Sequence, residues 1–345
     1  MEWKQLTETK YRYFLFPLAL LYWGVLIWRN LFYSAGFFVT RKLPVKVISV
    51  GNITIGGTGK TPTVIYLAKT LLQSGHRVAV LSRGYGRKTA GTQLVTDGVQ
   101  PVSDWRNYGD EPTMMAEATS DIPIVVDSNR HRGGLFLIDR FNPEIIIMDD
   151  AFQHRAIERD VDIVLINSQD TWAKHKLLPY GLLREPWASL KRADVIIFTK
   201  TNLKTPAPFL KTRAQKTKKP ILESRLNIGV PKKLTKGEGE LKKGTKAVAV
   251  AAIGDPGGFV CSLKKREVVV VDTLFFTDHH HYIQSDIPKI KAKMEKASAE
   301  IVITTEKDAI KLKNLKIDGL NIYTLGVQAT LSLKEERKLL NIIQR

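Results

Sequence analysis

The stretch of sequence that decides the fold is Thr54-Ile55-Gly56-Gly57-Thr58-Gly59-Lys60-Thr61. It follows an apolar run at 45–50 and leads into 61–72, where apolar residues recur with helical spacing. A glycine-rich loop between a strand and a helix lets backbone N–H groups surround phosphate oxygens, and the helix N-terminus adds partial positive charge. We therefore expect Lys60 to reach the β- and γ-phosphates of a nucleotide and the Thr61 hydroxyl to ligate Mg²⁺.

This loop departs from the common phosphate-loop pattern at one position, because Thr54 stands where a glycine is usual. Gly56 and Gly57 supply backbone freedom shortly afterwards. A purely structural glycine turn is the alternative, but the strand before the loop and the helix after it favour nucleotide binding. Nucleotide binding alone does not identify a kinase, since related loops serve switches and pumps.

Further apolar runs alternate with helical patterns along the chain. Five of them fit buried parallel strands, at 78–81, 122–126, 144–148, 163–166 and 195–198. Helical patterns at 111–118 and 132–141 separate several of these runs. Such alternation predicts an α/β fold with a doubly wound sheet.

Length and composition predict four parts, since 345 residues suggest two domains at ~100–200 residues each. Residues 1–40 are expected to form an N-terminal membrane-associated segment, and 41–221 a phosphate-loop domain. Residues 222–245 are rich in Lys, Gly and Glu and are interpreted as a hinge or hairpin linker. We expect 246–345 to form a smaller α/β domain, closed by a helix near 333–343.

The charge of the chain restricts its partners. Lysine and arginine number 53 against 34 acidic residues, a formal charge of +19, which suits nucleic acid, an anionic membrane or a phosphorylated substrate. The basic residues are spread along the sequence without a recognisable reader motif, so we expect no nucleic-acid partner. Cys261 is the only cysteine, which excludes an internal disulfide and is typical of a reducing compartment.

The N-terminal segment carries an uncharged, largely apolar run at 13–28. A spanning helix needs ~20 apolar residues, so this run is short unless Arg29 snorkels and 31–40 extend it. Aromatic and basic residues at both ends are typical of a segment lodged in the membrane interface, and we expect it to lie in one leaflet. A cleaved signal peptide would export the nucleotide-binding motif, and a buried amphipathic helix does not fit a run that is apolar on every face.

Two pairs of acidic residues are candidates for chemistry. Asp149 and Asp150 follow an apolar strand, at the end where ligands of open α/β sheets bind, so we expect one carboxylate to serve Mg²⁺; the alternative is a capped turn. Asp110 and Glu111 open a helical pattern. They fit either a general base for an acceptor hydroxyl or an N-terminal cap, and spacing alone favours neither.

A histidine run and an arginine-rich loop complete the candidate residues. The three histidines at 279–281 cannot all face one metal from a regular element, but one imidazole could tune a carboxylate across a cleft. The loop Ser-Arg-Gly-Tyr-Gly-Arg at 82–87 follows the second strand, where its arginines could hold a phosphate. Other arginines that could do so are Arg130, Arg132, Arg155, Arg159 and Arg184.

Six short motifs occur in a distinctive order along the chain. They are GNITIGGTGKTP at 51–62, SRGY at 82–85, GDEP at 109–112, DDAFQH at 149–154, LREP at 183–186 and DHH at 278–280. Together they resemble the tetraacyldisaccharide 4′-kinase (lipid A 4′-kinase) family. The resemblance implies transfer of the ATP γ-phosphate to the 4′-hydroxyl of a tetraacylated glucosamine disaccharide 1-phosphate, forming lipid IVA. It also implies work at the cytoplasmic face of the Gram-negative inner membrane.

The same resemblance implies roles for individual residues, with ATP and Mg²⁺ as cofactors and the acylated lipid and membrane surface as partners of a monomer. Asp110 is the expected general base, aided by His279 or alternatively His280, and Lys60 is expected to act on the phosphates. The expected metal shell consists of Thr61, Glu185, and Asp149 or Asp150. The expected substrate contacts are Arg83, Tyr85, Glu111 and Arg130.

A membrane-associated phosphate-loop ATPase switch is the alternative function. Such ATPases usually carry a lysine just before the paired glycines, where this chain has Ile55. A guanine-reading Asn-Lys-x-Asp is also missing, since residues 199–202 read Thr-Lys-Thr-Asn. Both departures favour the kinase.

Overall fold

The structure is a computed structural model that describes residues 10–100, 104–234 and 241–345. The first eight strands along the chain all belong to the larger sheet: β1 (Lys46–Asn52), β2 (Val78–Ser82), β3 (Gln93–Thr96), β4 (Ile124–Val126), β5 (Ile145–Asp149), β6 (Val161–Asn167), β7 (Val195–Thr199) and β8 (Ile221–Ile228). Strand β5 is buried along its whole length, as parallel strands covered on both faces require.

A smaller sheet follows in the chain, and one further strand returns to the larger sheet. The remaining strands are β9 (Lys232–Lys233), β10 (Lys246–Ala251), β11 (Val269–Phe275), β12 (Ile301–Thr305), β13 (Ile322–Leu325) and the returning β14 (Val327–Leu331). The larger sheet has the order β14-β8-β7-β6-β1-β5-β2-β4-β3, and the smaller sheet β11-β10-β12-β13-β9. Neighbouring strands run parallel except at β3–β4, β8–β14 and β9–β13.

Helices pack against both sheets. In chain order they are α1 (Phe16–Ser34), α2 (Lys60–Gln73), α3 (Trp105–Tyr108), α4 (Asp110–Ala118), α5 (Arg130–Phe141), α6 (Pro208–Gln215), α7 (Pro256–Lys265), α8 (Asp286–Lys296), α9 (Glu306–Leu312) and α10 (Leu333–Gln344). Ile48 of β1 lies in one core with Leu67 of α2, and Val47 lies in another with Leu137 of α5. The expected doubly wound α/β fold with a second, smaller sheet is confirmed.

The structure divides the chain differently from the expected linker at 222–245. Residues 222–228 form most of β8, which pairs with β7 and is therefore part of the larger sheet. This strand buries Leu222, Ser224, Leu226 and Ile228 and exposes the polar residues between them. Only every second residue of the strand is buried, and the residues between them are charged or polar. The composition of this stretch therefore resembles that of a linker. Residues 235–240 of the expected linker lie outside the described residues.

The end of the chain also belongs to a different part of the molecule than expected. Strand β14 pairs antiparallel with β8, and α10 buries Leu339 and Ile343 in the core of the larger sheet. The final helix therefore closes the larger sheet, whereas the sequence predicts that it closes a domain at 246–345. Only the contacts of α10 in the folded chain reveal this placement, because its apolar spacing suits either sheet.

Helix α1 lies along the surface of the larger-sheet part of the molecule. Ala19 and Leu26 are buried, the Tyr22 hydroxyl donates to the Arg184 carbonyl oxygen at 2.7 Å, and Arg29 belongs to the same stripe of every third or fourth residue. The other faces expose apolar side chains: Leu18, Leu20, Leu21, Trp23, Val25, Ile27, Trp28 and Leu31. The helical stretch at 11–34 is long and apolar enough to cross a membrane by length and composition.

Candidate active site

The phosphate loop joins the end of β1 to the start of α2. Gly59 directly precedes the helix with a φ of 86°, a left-handed conformation that glycine adopts without strain. The Thr58 hydroxyl accepts from Asn52 Nδ2 at 2.8 Å, and its carbonyl oxygen accepts from the Thr199 hydroxyl at 2.8 Å. The ends of β1 and β7 therefore hold the loop in place before any nucleotide binds.

Lys60 and Asp150 face each other beside this loop. Lys60 Nζ lies 3.7 Å from Asp150 Oδ1, and Arg184 Nη1 donates to both oxygens of Asp150 at 2.9 and 3.0 Å. Burial raises the pKa of Asp150, but the charges of Lys60 and Arg184 outweigh it and lower that pKa to about 2. Asp150 is therefore ionised, and it orients the lysine expected at the phosphates.

Asp149 ends β5 and is almost completely buried. Its Oδ2 accepts from the Ser82 hydroxyl at 3.1 Å, whereas Oδ1 has no hydrogen-bond partner among the described residues. Burial, followed by the neighbouring charges of Glu111 and Asp150, raises the pKa of Asp149 to about 7. A buried carboxylate oxygen left without a partner fits a divalent cation, whose charge would restore the ionised form.

We expect Asp149→Asn to stabilise the nucleotide-free protein at alkaline pH. Because the pKa of Asp149 is higher in the folded state than in the unfolded state, its protonation stabilises the folded protein. That contribution is fully present below the unfolded-state pKa and is lost as pH rises through about 7. Asparagine is neutral at every pH in this range. The melting temperature of the variant should therefore exceed that of wild type by several degrees at about pH 8 and equal it at about pH 4. Thermal unfolding in chelator across this range measures the difference. A difference in melting temperature that does not increase with pH would contradict the raised pKa of Asp149.

The residues of the expected metal shell have different surroundings in the structure, and only some of them fit a metal ion. Within the described residues, no three His, Cys, Asp or Glu side chains cluster as a metal site. Mg²⁺ is commonly held by one or two carboxylates together with substrate phosphates and water, so a site for it does not require such a cluster. Thr61 is buried in the first turn of α2, so Thr61 and Asp149 remain the residues that fit such an ion.

Glu185 has a different environment from the one expected of a metal ligand. Its fully buried carboxylate pairs with Arg29 of α1 at 2.6 Å and with Arg192 at 2.7 Å, one arginine on each oxygen. Burial raises the pKa of Glu185, but Arg192 and Arg29 lower it further than burial raises it. Glu185 therefore anchors α1, and the adjacent Arg184 connects the same anchor to Asp150.

The candidate base lies where α4 meets the smaller-sheet part of the chain. Asp110 starts α4 and is 4 % exposed, and His279 Nδ1 lies 3.1 Å from both of its carboxylate oxygens. Lys311 Nζ lies 3.3 Å from Oδ2. Burial raises the pKa of Asp110, but His279 and the nearby lysines outweigh it and hold that pKa well below its usual range. The carboxylate is thus ionised and able to accept a proton.

The structure separates the three consecutive histidines. His279 has a φ of 63° and places its ring beside Tyr85, with ring centroids 4.9 Å apart. His280 pairs with Asp286 at 2.9 Å and faces into the fold, and His281 lies against Trp105. Of the three, His279 is the one in contact with Asp110.

The four expected substrate residues fall into two groups. Arg83 and Tyr85 are exposed on the loop after β2, with Tyr85 64 % exposed, and Glu111 pairs with Lys307 at 3.2 Å. Arg130, by contrast, is 3 % exposed and donates to the carbonyl oxygens of Leu81 and Asp149. Burial lowers its pKa to about 10. Arg130 therefore holds the ends of β2 and β5 together, which does not fit the expected contact with a lipid headgroup.

Four charged residues at the contact between the two sheets were missed by the sequence reasoning. Lys200 Nζ donates to the Gly57 carbonyl oxygen at 2.8 Å and pairs with Asp255, which caps α7. Lys307 and Lys311 project from α9 towards the start of α4. Their partners are far away in sequence, so no local pattern could have identified them.

Comparisons with known proteins identify the family of the chain. A family model described as Tetraacyldisaccharide-1-P 4′-kinase matches residues 11–344. Relatives named tetraacyldisaccharide 4′-kinase include that of Chlorobaculum parvum, 38% identical over 95% of this chain and 94% of its own length, and that of Chlorobium limicola, 41% identical over 86% and 85%. The crystal structure of an "apo" form of LpxK from Aquifex aeolicus in complex with ATP is 33% identical and matches with a TM-score of 0.75 over 97% of this chain and 98% of that one. The chain therefore belongs to the tetraacyldisaccharide 4′-kinase family.

Proposed function

We propose that the chain transfers the γ-phosphate of ATP to the 4′-hydroxyl of a tetraacylated glucosamine disaccharide 1-phosphate. The observation that carries this proposal is the contact of Asp110 with His279 at 3.1 Å, where α4 meets the smaller-sheet part of the chain. A kinase needs a carboxylate that takes the proton of an acceptor hydroxyl, and the lowered pKa of Asp110 keeps it in the ionised form that this role requires. Membership of the family and the solved relative that holds ATP support the same activity.

The proton and phosphoryl steps follow from this geometry. The acceptor oxygen bonds to the γ-phosphorus while its proton passes to Asp110, and the bond from that phosphorus to the β,γ-bridging oxygen breaks to release ADP. His279 orients the Asp110 carboxylate, and Lys60 offsets negative charge on the phosphates. A magnesium ion held by Thr61 and Asp149 would neutralise phosphate charge at the loop. Arg83 and Tyr85 are proposed to contact the sugar headgroup from their exposed loop.

Acceptor-dependent consumption of ATP tests this function against the ATPase-switch alternative. Purified protein in detergent micelles would be given Mg-ATP with and without the lipid disaccharide 1-phosphate, and ADP would be measured. A kinase releases one ADP per acceptor molecule and little without acceptor, because water alone does not complete the site. Turnover independent of acceptor would instead favour the switch.

We also propose that α1 lies in one leaflet at the cytoplasmic face of the inner membrane, with the protein acting as a monomer. The stripe containing Ala19 and Leu26 contacts the folded protein along the helix, so the opposite apolar face is the one available to lipid. Arg29 keeps its charge paired with Glu185 on the protein side. The active site is thereby held close to the surface from which an acylated substrate must be reached.

The double variant Leu21→Ser/Val25→Ser is expected to weaken binding to anionic phospholipid vesicles by at least about 10-fold, because each aliphatic side chain contributes ~1.5–3 kcal/mol when fully buried. Leu21 is 69 % exposed and Val25 63 %, so neither supports the fold. Vesicle sedimentation measures the partition coefficient. Leu333→Ser, at a site 75 % exposed on α10, is the control and should bind as wild type does. If the double variant bound vesicles as strongly as wild type, α1 would not be the membrane-binding element.

A further inference from the structure

A lysine is fully buried at the contact between α4 and α9. Lys311 has 0 % exposure, and its Nζ lies 3.3 Å from Asp110 Oδ2 and 3.2 Å from Asp308 Oδ1. An ammonium group without anionic partners is strongly disfavoured in the interior, so these two carboxylates determine its place. One partner, Asp308, lies on α9 with Lys311 itself, and the other, Asp110, begins α4 on the opposite side of the contact.

The second partner of this lysine reaches the segment that carries His279. Asp308 Oδ2 accepts from the Ala252 backbone N–H at 2.9 Å, and the Ala252 carbonyl oxygen accepts from the His279 N–H at 3.2 Å. His279 has a φ of 63°, which a non-glycine residue keeps only when surrounding contacts impose it. The Lys311–Asp308 pair is therefore connected to both members of the Asp110–His279 contact.

We propose that Lys311 is a positioning residue for phosphoryl transfer, which fixes the Asp110 carboxylate and the His279 backbone together when α9 is seated against α4. The proposal rests on the function proposed above. Lys311 is fully buried and its charge is paired with two carboxylates, so it acts through Asp110 and Asp308. Because the lysine and the base come from opposite sides of the contact, the acid–base pair is complete only when the two parts of the molecule are closed on each other.

The test replaces Lys311 with methionine in the full chain, which keeps the length of the side chain and removes its charge. We expect kcat to fall about 10- to 100-fold, the effect of a small misplacement of a catalytic group, with KM for ATP changed by less than about 2-fold. Three groups face the Asp110 carboxylate and lower its pKa: His279 at 3.1 Å, Lys307 at 3.8 Å and Lys311 at 3.3 Å. Loss of Lys311 leaves the other two in place, so the acidic limb of the kcat profile should move partway to higher pH. A lysine that only stabilised the fold would lower the melting temperature of the variant and leave the kcat of its folded fraction unchanged.

Lys313→Met is the matched control. Lys313, the residue directly after α9, pairs with Glu117 of α4 at 3.5 Å, but half of its side chain is exposed. This variant should keep the wild-type kcat and pH profile. A Lys311→Met protein with wild-type kcat and an unmoved acidic limb would overturn the proposal.

A second variant covers the case in which Lys311→Met does not fold. The double variant Lys311→Met/Asp308→Asn removes both buried charges together and keeps an oxygen for the Ala252 N–H, and Asp308→Asn alone serves as its comparison. The loss of kcat and the shifted limb should appear in the double variant and exceed those of the single one; equal profiles would refute the role of Lys311. Inactive wild-type protein would refute the proposed kinase function instead, so the two failures are distinguishable.

Discussion

Asp110→Asn is expected to lower kcat by about 10²- to 10⁴-fold, the usual contribution of a positioned general base. Asparagine has nearly the shape of aspartate, but its amide cannot take the proton of the acceptor hydroxyl at neutral pH. The substituted side chain remains within reach of His279 and Lys311, so the fold and the phosphate loop should be retained. The measurement is steady-state phosphorylation of the lipid acceptor, together with nucleotide binding by calorimetry, which should change by less than about 2-fold.

A matched control for this change exists on the surface. Asp121 is exposed and has a φ of 60°, a conformation that asparagine tolerates well. Asp121→Asn removes one carboxylate without touching the site and should leave kcat unchanged. If Asp110→Asn kept the wild-type kcat, the base would have to be sought elsewhere.

Lys60→Met is expected to lower kcat/KM for ATP by at least about 10³-fold, in the range that removal of a charge on the transferred phosphoryl group produces. Lys60 opens α2 at the end of the phosphate loop and lies against the ionised Asp150. Its loss removes the cation proposed to contact the β- and γ-phosphates and leaves the Asp150 carboxylate without its lysine partner. Initial rates over a range of ATP concentrations give the ratio.

Lys69→Met provides the comparison for this second change, because Lys69 lies on the same helix but away from the loop. It should retain the wild-type kcat/KM. Near-wild-type kcat/KM in Lys60→Met would show that the glycine-rich loop does not bind the transferred phosphates in the way proposed.

The parts of the site that sequence could predict are those in which the chemistry is local. The phosphate loop needs its glycines, Lys60 and Thr61 in adjacent positions between a strand and a helix, so the pattern is visible without any tertiary contact. Asp149 could be proposed from sequence for a similar reason, because it ends an apolar strand, and ligands of open α/β sheets commonly bind beyond the carboxyl ends of their strands. The outline of the larger sheet followed from the same alternation of apolar runs and helical patterns.

The parts that sequence could not predict depend on burial. Arg130 and Arg83 look alike in the sequence, but Arg130 is enclosed by backbone carbonyl groups and Arg83 faces solvent. Glu185 sits in a motif that suggests a metal ligand, yet its two oxygens are engaged by arginines, one of them on α1. A charged residue reveals its role only when its partners are known, and these partners are distant in the chain.

Chain topology hid the remaining features for a related reason. Strand β8 is half polar because one of its faces meets solvent, so composition resembles that of a linker. The return of β14 to pair with β8 requires a contact between residues about a hundred positions apart, which no local periodicity encodes. The role of Lys311 likewise depends on its contact with Asp110 on another helix.

Tandem mass spectrometry of the lipid product tests the central claim most directly. The disaccharide 1-phosphate would be incubated with Mg-ATP and either wild-type protein or Asp110→Asn, and fragment ions would locate any phosphate gained. We expect one added phosphate on the 4′-oxygen with wild type and almost none with the variant. Consumption of ATP without a phosphorylated lipid, or the same amount of product from both proteins, would contradict it.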